Sequence, residues 1–481
     1  MTRRIALAAL AATLATGAAA QQEPRPQLRA IWVNSWNDGM LSPEQVEQMV
    51  RDVRSANLNA VVVEVRKVGD AYYLGGLEPR ASNIQGPEDW DPLQQIIDLC
   101  HDTSGGQQRI EVHAWMVTFR VWRNSLGAPP PGHLLHEHPE VVMTSASGDA
   151  DGEGSVFADP GHPITEDWTV AVYRDVAARY DVDGVHFDYV RYPEYEGDWG
   201  HNPVSIERFN RRNNLTGVPA SGDPRWQAWR REQVRATVRR VYGEVMEANP
   251  GCLVSASTLN WGLETSVWDW PMSRPRLQAH QDWVSFMDEG ILDLNCLMNY
   301  SRFVTQPLRF PTYTDLAIRT RLDRHAIIGA GVYMNTVEHG FTQLRQALAM
   351  GADGVLLYDY GTTNNEDLPR DAYFARLRAE VFPTRAEVPA RLWRSRPNTG
   401  AVIGQVFDGQ GNWVDGATVT LDGVRSMVTD GTGFYGFFRV DPGPHTVQVT
   451  MPQAARRVTG EGVIVEPGRA ARFDVGSARD R

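Results

Sequence analysis

The 481 residues carry 47 Lys and Arg against 59 Asp and Glu, a formal net charge of −12. Phosphate binding needs a basic face, so this balance argues against a nucleic-acid partner. A mean hydropathy of −0.38 with 42% hydrophobic and 22% charged residues excludes a polytopic membrane protein and allows a large core.

The first twenty residues hold Arg3 and Arg4, an apolar run from Ile5 to Leu14, and Ala18-Ala19-Ala20 before Gln21. That order predicts a signal peptide cleaved after Ala20, a secreted or periplasmic protein, and no membrane anchor in the mature chain. The apolar core is too short and Ala-rich to favour an anchor. Three cysteines, Cys100, Cys252 and Cys296, form no C-x-x-C pair and read as small buried apolar residues.

From 28 to 382 strand-like and helix-like patterns alternate. Strands are predicted at 28–36, 58–66, 109–118, 182–190, 252–259, 291–300, 325–334 and 352–359. Helices are predicted at 43–56, 92–100, 165–179, 224–247, 281–289, 315–322, 342–350 and 371–381. Ser42-Pro43 and Asp91-Pro92 are capping signatures, a side-chain acceptor for free N–H groups followed by a residue that lacks one. Eight β-then-α units predict a (β/α)8 TIM barrel, an α/β fold. The alternative is an open doubly wound sheet. Against it, Val33-Asn34-Ser35-Trp36 stands where a glycine-rich dinucleotide loop would follow the first strand. Residues 383–399, rich in Arg and Pro, read as a linker. Short alternating runs at 401–407, 417–421, 434–440 and 445–451, separated by Asp-Gly and Pro-Gly turns, predict a small all-β sandwich over 400–477.

Barrel side chains alternate between lumen and helix layer, so parity sorts the candidates. Parity points Glu64 and Arg66 inward in the second strand, His113 and Trp115 in the third, His186 and Asp188 in the fourth, and Asp293, Asn295 and Asn299 in the sixth. Tyr358 points inward in the eighth, which leaves Asp359 a secondary candidate on the helix side. Asp183, Asp293 and Asp353 sit at strand starts, the structural end of such barrels, whereas active sites form at strand C-termini.

Paired carboxylates at that face suggest glycosidic cleavage, in which an ionised carboxylate meets the positive charge on the sugar and a protonated one donates to the leaving oxygen. Asp188 is the first carboxylate and Glu64 the second by parity, with Asp359, Asp70 and Glu264 as rivals. A Glu64–Arg66 ion pair that only supports the barrel is the competing reading. Aromatic residues gather at strand ends, among them Trp32, Trp36, Trp115, Trp122, Tyr189, Trp261 and Tyr300. Flat rings there would cover sugar faces, while Arg66, Asp70, His113, His186, Arg191, Asn299, Asn335 and Tyr358 would reach hydroxyls. A zinc site at His113, His186 and Asp188 lacks any H-x-H or H-E-x-x-H spacing, and there is no phosphate loop or G-x-S-x-G, so no metal or cofactor is expected. Two functions remain: a glycoside hydrolase acting on a polysaccharide or oligosaccharide, and a non-catalytic glycan-binding or surface-assembly protein using the same aromatic face.

The segments Leu28-Arg29-Ala30-Ile31-Trp32-Val33, Gly69-Asp70-Ala71-Tyr72-Tyr73, His113-Ala114-Trp115 and Asp183-Gly184-Val185-His186-Phe187-Asp188-Tyr189-Val190-Arg191-Tyr192-Pro193 resemble the bacterial family-ten glycosyl-hydrolase-like domain. The resemblance spans roughly 28 to 380. It implies a TIM barrel, an exported enzyme and a glycan substrate such as cell-wall polysaccharide. In that family the position matching Glu64 often carries Gln, so the resemblance carries Asp188 over more firmly. Ile403-Gly404-Gln405-Val406 and Thr429-Asp430-Gly431-Thr432-Gly433-Phe434-Tyr435 resemble the carboxypeptidase regulatory-like, transthyretin-like domain, an accessory module.

Overall fold

A computed structural model describes residues 24–194, 197–261, 267–452 and 457–476. The predicted signal peptide and Glu264 lie outside the described residues. Eight parallel strands close a barrel: β1 (Leu28–Val33), β2 (Ala60–Arg66), β3 (Glu111–Val117), β4 (Gly184–Asp188), β5 (Leu253–Thr258), β6 (Leu294–Met298), β7 (His325–Gly331) and β8 (Gly354–Tyr358). Each pairs with its sequence neighbours, and β1 pairs with β8. This is the TIM barrel that the alternation predicts.

The helices that cover it begin where the capping chemistry says. In α1 (Pro43–Ser55) the Ser42 side chain accepts from Gln45 N, and in α2 (Pro92–His101) Asp91 accepts from Gln94 N. The helices α3 (Pro163–Arg179), α4 (Pro203–Asn213) and α5 (Pro224–Ala248) also start with Pro behind a capping side chain. Between β6 and β7 the helix α6 (Arg309–Thr320) starts earlier than predicted, with no side-chain cap to announce it.

Four side chains set the register at the barrel floor. Asn59, Asp183, Asp293 and Asp353, each just before an even-numbered strand, accept the backbone N–H of Arg29, Val112, Val254 and Ala326 at 2.8–2.9 Å. Those four donors are the second residues of β1, β3, β5 and β7. Gly184, the first residue of β4, is required by its neighbour: a Cβ there would lie 2.5 Å from His113 Nδ1.

The stretch 383–399, read as a linker, is docked. Arg391 grips Glu111 through both carboxylate oxygens, while Trp393 Nε1 and Arg394 Nη2 each donate to the fully buried Asp293 at 2.6 Å. Beyond it a three-stranded sheet, ordered β12 (Phe434–Val440), β9 (Gly400–Gln405) and β15 (Ala470–Arg472), faces a four-stranded one. The second sheet orders β11 (Arg425–Val428), β10 (Thr418–Leu421), β13 (Gly443–Thr450) and β14 (Arg457–Val465). The sandwich shares a core with the barrel, since Ala401, Ile403, Phe434 and Phe438 join the cluster between barrel and helices. Gly243 of α5 permits this approach: a Cβ there would stand 3.0 Å from Ile403. All three cysteines are buried and unpaired.

Removing one partner of a buried ion pair leaves an uncompensated charge. Arg394→Ala is therefore expected to lower unfolding free energy by about 3 kcal/mol, measured by urea denaturation, because Asp293 loses its strongest cationic partner. An unchanged denaturation midpoint would refute the docked reading of this segment.

Candidate active site

The chain leaving β1 builds the first wall of the mouth. Asn34 Oδ1 accepts from Trp36 N and Asn37 N, both at 3.0 Å, which bends the loop and points Ser35 at the lumen. Ser35 then donates twice to Glu64 Oε2, from N at 2.9 Å and from Oγ at 2.8 Å. Burial outweighs these bonds and pushes the Glu64 carboxyl up to about 7.

Glu64 faces the lumen as parity predicts, and Arg66 does not. A bulge between them shifts the register so that Glu64 opposes Trp115 while Arg66 opposes Met116, a helix-facing residue. Arg66 is buried against Glu78, donating from Nε and Nη2 at 2.6 Å each. The Glu64–Arg66 ion pair is thus replaced by Arg66–Glu78, and Arg66 is withdrawn from the mouth.

Asp188 ends β4 at the C-terminal face. Its Oδ1 accepts from Tyr189 N at 2.7 Å and Arg191 Nη1 at 3.2 Å, and its Oδ2 from Trp115 Nε1 at 3.2 Å. Tyr189 adopts φ 47°, a conformation unfavourable for an aromatic residue. Its ring is held between two guanidiniums, Arg120 at 3.8 Å and Arg191 at 3.9 Å from the centroid. A cavity of about 340 Å³ brings together Trp36, Glu64, Trp115, Arg120, Arg123, Asp188, Tyr189 and Tyr358.

Arg120 and Arg123 were missed by the sequence reading. They stand on a hairpin, Arg120–Arg123 paired with Ser155–Phe157, inserted after β3. No periodic signal marked them, because Arg120 and Arg123 lie three apart and the strand bulges between Arg120 and Trp122, while Val121 packs into a small separate core with Leu134, Val141 and Ala158.

Other candidates sit elsewhere. His113 is in the lumen, but near the floor beside Glu111 at 3.3 Å. His186 lies deeper than Asp188, with both ring nitrogens 2.8 Å from the Ser255 and Ser257 hydroxyls, and burial holds it well below the usual imidazole range. Asn299 and Asn295 were expected inward; β6 instead turns Leu294, Cys296 and Met298 to the lumen. Asn299 donates to Phe310 O and Thr314 Oγ1 on α6, and Asn295 accepts from Thr258. Asn335 spends its amide on Ser301 O and Gly331 O. Asp359 accepts from Asn34 and from Thr362 N, tying two loops beside the cavity without lining it, and burial raises it to about 6. Asp70 accepts from Lys67 N and Val68 N and lines a neighbouring groove of about 430 Å³ that shares Trp36. Trp261 is half-buried after β5 and outside the cavity lining. Beneath the mouth Trp32 packs edge to face on Tyr300 and Tyr358, at 6.1 and 5.7 Å, and Tyr300 lies tilted against Tyr358 at 5.2 Å, together forming a floor. Among the described residues no group of three His, Cys, Asp or Glu is placed to hold a metal.

With this geometry established, the comparisons with known proteins are specific. The family description glycosyl hydrolase-like 10 matches residues 27–313, and the carboxypeptidase regulatory-like domain matches 401–476. The chain belongs to the glycosyl hydrolase-like 10 family. It is 26% identical over 241 residues to glycosyl hydrolase YngK of Bacillus subtilis, covering 47% of this chain and 43% of that protein. It is 25% identical over 265 residues to glycosyl hydrolase DigH of Escherichia coli, covering 49% and 55%. The chain thus spans about half the length of the curated relatives it matches. Among solved structures it superposes on the PgaB glycoside hydrolase domain of Bordetella bronchiseptica with TM-score 0.51 at 15% identity, over 71% of this chain and 96% of that one. A β-galactosidase from Halorubrum lacusprofundi gives TM-score 0.52 at 16% identity, over 80% and 61%. These last two likenesses concern the fold.

The raised Glu64 has a signed consequence. A carboxyl whose folded value lies above its unfolded one contributes stability at low pH that is lost as pH rises, here between about 4.5 and about 7. Glu64→Gln removes the titration, so its stability relative to wild type should rise by on the order of 2 kcal/mol from pH 4.5 to pH 8. Parallel thermal melts of the two proteins across that range check it; a constant offset would refute the buried, raised carboxyl.

Proposed function

We propose that the protein is an exported glycoside hydrolase that cleaves O-glycosidic bonds of a bacterial glycan, with cell-wall polysaccharide as the substrate class. The observation that carries this reading is the pairing of Glu64 and Asp188 in one cavity at the C-terminal face of the barrel. Family membership and fold support a glycosidase. The Arg3-Arg4, apolar and Ala-rich order of the first twenty residues supports export.

The two carboxyls occupy opposite environments, which divides their roles. Glu64 is buried, raised to about 7 and therefore able to hold a proton near neutrality, so it serves as the acid for the leaving oxygen. Asp188 receives three N–H donors, one from a guanidinium, and serves as the anion facing the sugar carbon, as nucleophile or as base for water. Trp115 and Arg191 orient it.

Asp188→Asn should abolish release of reducing sugar from bacterial wall glycan while circular dichroism stays unchanged. Glu64→Gln should lose activity on natural linkages and retain more of it on aryl glycosides, whose leaving groups need no proton. Wild-type activity should fall as pH rises through about 7, where Glu64 loses its proton. Full activity of the Asp188 variant would sink the assignment, and glycan binding without any product would favour the non-catalytic reading.

A further inference from the structure

Where the sandwich docks on the barrel, two buried carboxyls meet. Glu166, in the first turn of α3, is 2% exposed, and Asp430, in the turn before β12, is 7% exposed. Their side chains hydrogen-bond to each other across the interface. One oxygen of Asp430 is fully engaged: Oδ1 accepts from Thr432 N at 2.9 Å, Thr432 Oγ1 at 2.7 Å and Phe434 N at 3.0 Å. Its Oδ2 is buried, and no N–H or other hydroxyl among the described residues reaches it. Thr432 has one hydroxyl proton and spends it on Asp430, because Glu166 Oε1 is farther away, at 3.4 Å. Ionised carboxylates only accept, so this contact requires a proton between them, and the three donors on Asp430 Oδ1 place it on Glu166.

The charged groups on the surrounding elements are committed elsewhere. From α5, Arg240 donates to Asp167 at 2.8 Å and lies 3.8 Å from Glu244, while its buried Nε and Nη1 turn to no acceptor. From α4, Arg208 donates to Asp415 of the sandwich at 2.9 Å, to Gly161 O and to Gln233, and Arg211 and Arg212 share the same Asp415 at the rim. Asp159, beneath the start of α3, accepts from Ser205 and from Gly161 N. His162 caps α3, and burial lowers its imidazole to about 4, so it brings no charge near neutrality. Neither arginine donates to Glu166, as suits a carboxyl that is itself a donor. Burial, with Asp430 beside it, holds the Glu166 carboxyl well above the usual carboxylate range.

We propose that Glu166 and Asp430 form a proton-dependent latch that holds the β-sandwich on the barrel while one proton lies between them and releases it when that proton is lost. Deprotonation leaves two anions in contact in a buried interface, where repulsion is strong. The turn has little room to yield, because a Cβ on Gly431 would stand 2.5 Å from Arg208 Cζ. A carboxyl raised by folding contributes stability below its unfolded value that is lost as pH rises through the folded one, so the latch is closed in acid and opens toward alkali. It is independent of the chemistry at the barrel mouth.

The test is hydrogen exchange of the full chain followed by mass spectrometry and read as protection factors, which removes the intrinsic pH dependence of exchange. Between about pH 5 and about pH 9 the segment 429–438 should lose protection about ten-fold or more, one proton allowing at most about ten-fold per pH unit. The barrel-floor amides of Val112 and Val254 should keep theirs. Glu166→Gln places a permanent N–H donor where the carboxyl proton stands, and Asp430→Asn places one at the Oδ2 position facing Glu166. Each variant should hold the segment protected across the whole range, matching wild type in acid and exceeding it in alkali. Should Glu166→Gln fail to fold, Asp430→Asn decides, and the wild-type profile needs no variant. Constant wild-type protection of 429–438, a loss in the folded variants equal to that of wild type, or a parallel loss at Val112 and Val254 would overturn the latch.

Discussion

Four backbone N–H groups on the floor of the barrel are each accepted by an Asn or Asp that precedes the next strand, and the register of the whole sheet depends on them. Asn59, Asp183, Asp293 and Asp353 lock β1 to β2, β3 to β4, β5 to β6 and β7 to β8. Side chains alternate with period two along a strand, so a one-residue slip would exchange the lumen and helix faces of that strand. A clamp at the second residue of each odd strand prevents the slip where the strand begins. The consequence is felt at the far end, where Trp115 and Asp188 meet only because β3 and β4 are held with His113 opposite Gly184 and Val117 opposite Asp188. Three of the clamps carry charge, and each has cations around it: Arg109 for Asp183, Arg394 for Asp293 and Arg321 for Asp353.

The mouth works by separating two carboxyls chemically while keeping them in one cavity. Burial raises Glu64, whereas Asp188 sits among N–H donors and a guanidinium. The β2 bulge is essential to this division. Without it Arg66 would share the lumen face with Glu64 and favour its ionised form; with it, Arg66 turns to Glu78 behind the strand. Positive charge reaches the cavity instead from Arg120 and Arg123 on the hairpin after β3, anchored on Tyr189 and Trp36.

The C-terminal sandwich is joined to the barrel more tightly than an accessory module on a tether. Its Ile403, Phe434 and Phe438 enter the barrel's outer core, and Asp415 takes Arg208, Arg211 and Arg212 from α4. Between the two, Arg391, Trp393 and Arg394 seal the floor, the end opposite the cavity. The arginines that mark 383–399 as polar and linker-like in composition are the ones that dock it, because folding brings to them Glu111 and Asp293, 280 and 101 residues away in the chain, at the starts of β3 and β6.

The sequence by itself determined the eightfold β-then-α series, the helix starts marked by Ser42-Pro43 and Asp91-Pro92, the structural role of Asp183, Asp293 and Asp353, and the placing of Asp188 and Glu64 at the C-terminal face of the barrel. All of these follow from local rules: periodicity, capping chemistry and the alternation of side chains along a strand. What only the tertiary structure decided depends on which residues meet. Parity failed at Arg66, because a bulge adds a residue that no periodic pattern marks, and at Asn295 and Asn299, because a buried strand apolar on both faces leaves its phase open. His113 was given the correct face but not its depth, which is set by strand stagger. The cationic lining was illegible for the same reason: Arg120 and Arg123 acquire their meaning from Tyr189 and Trp36, rings that chain folding brings to them and local sequence does not.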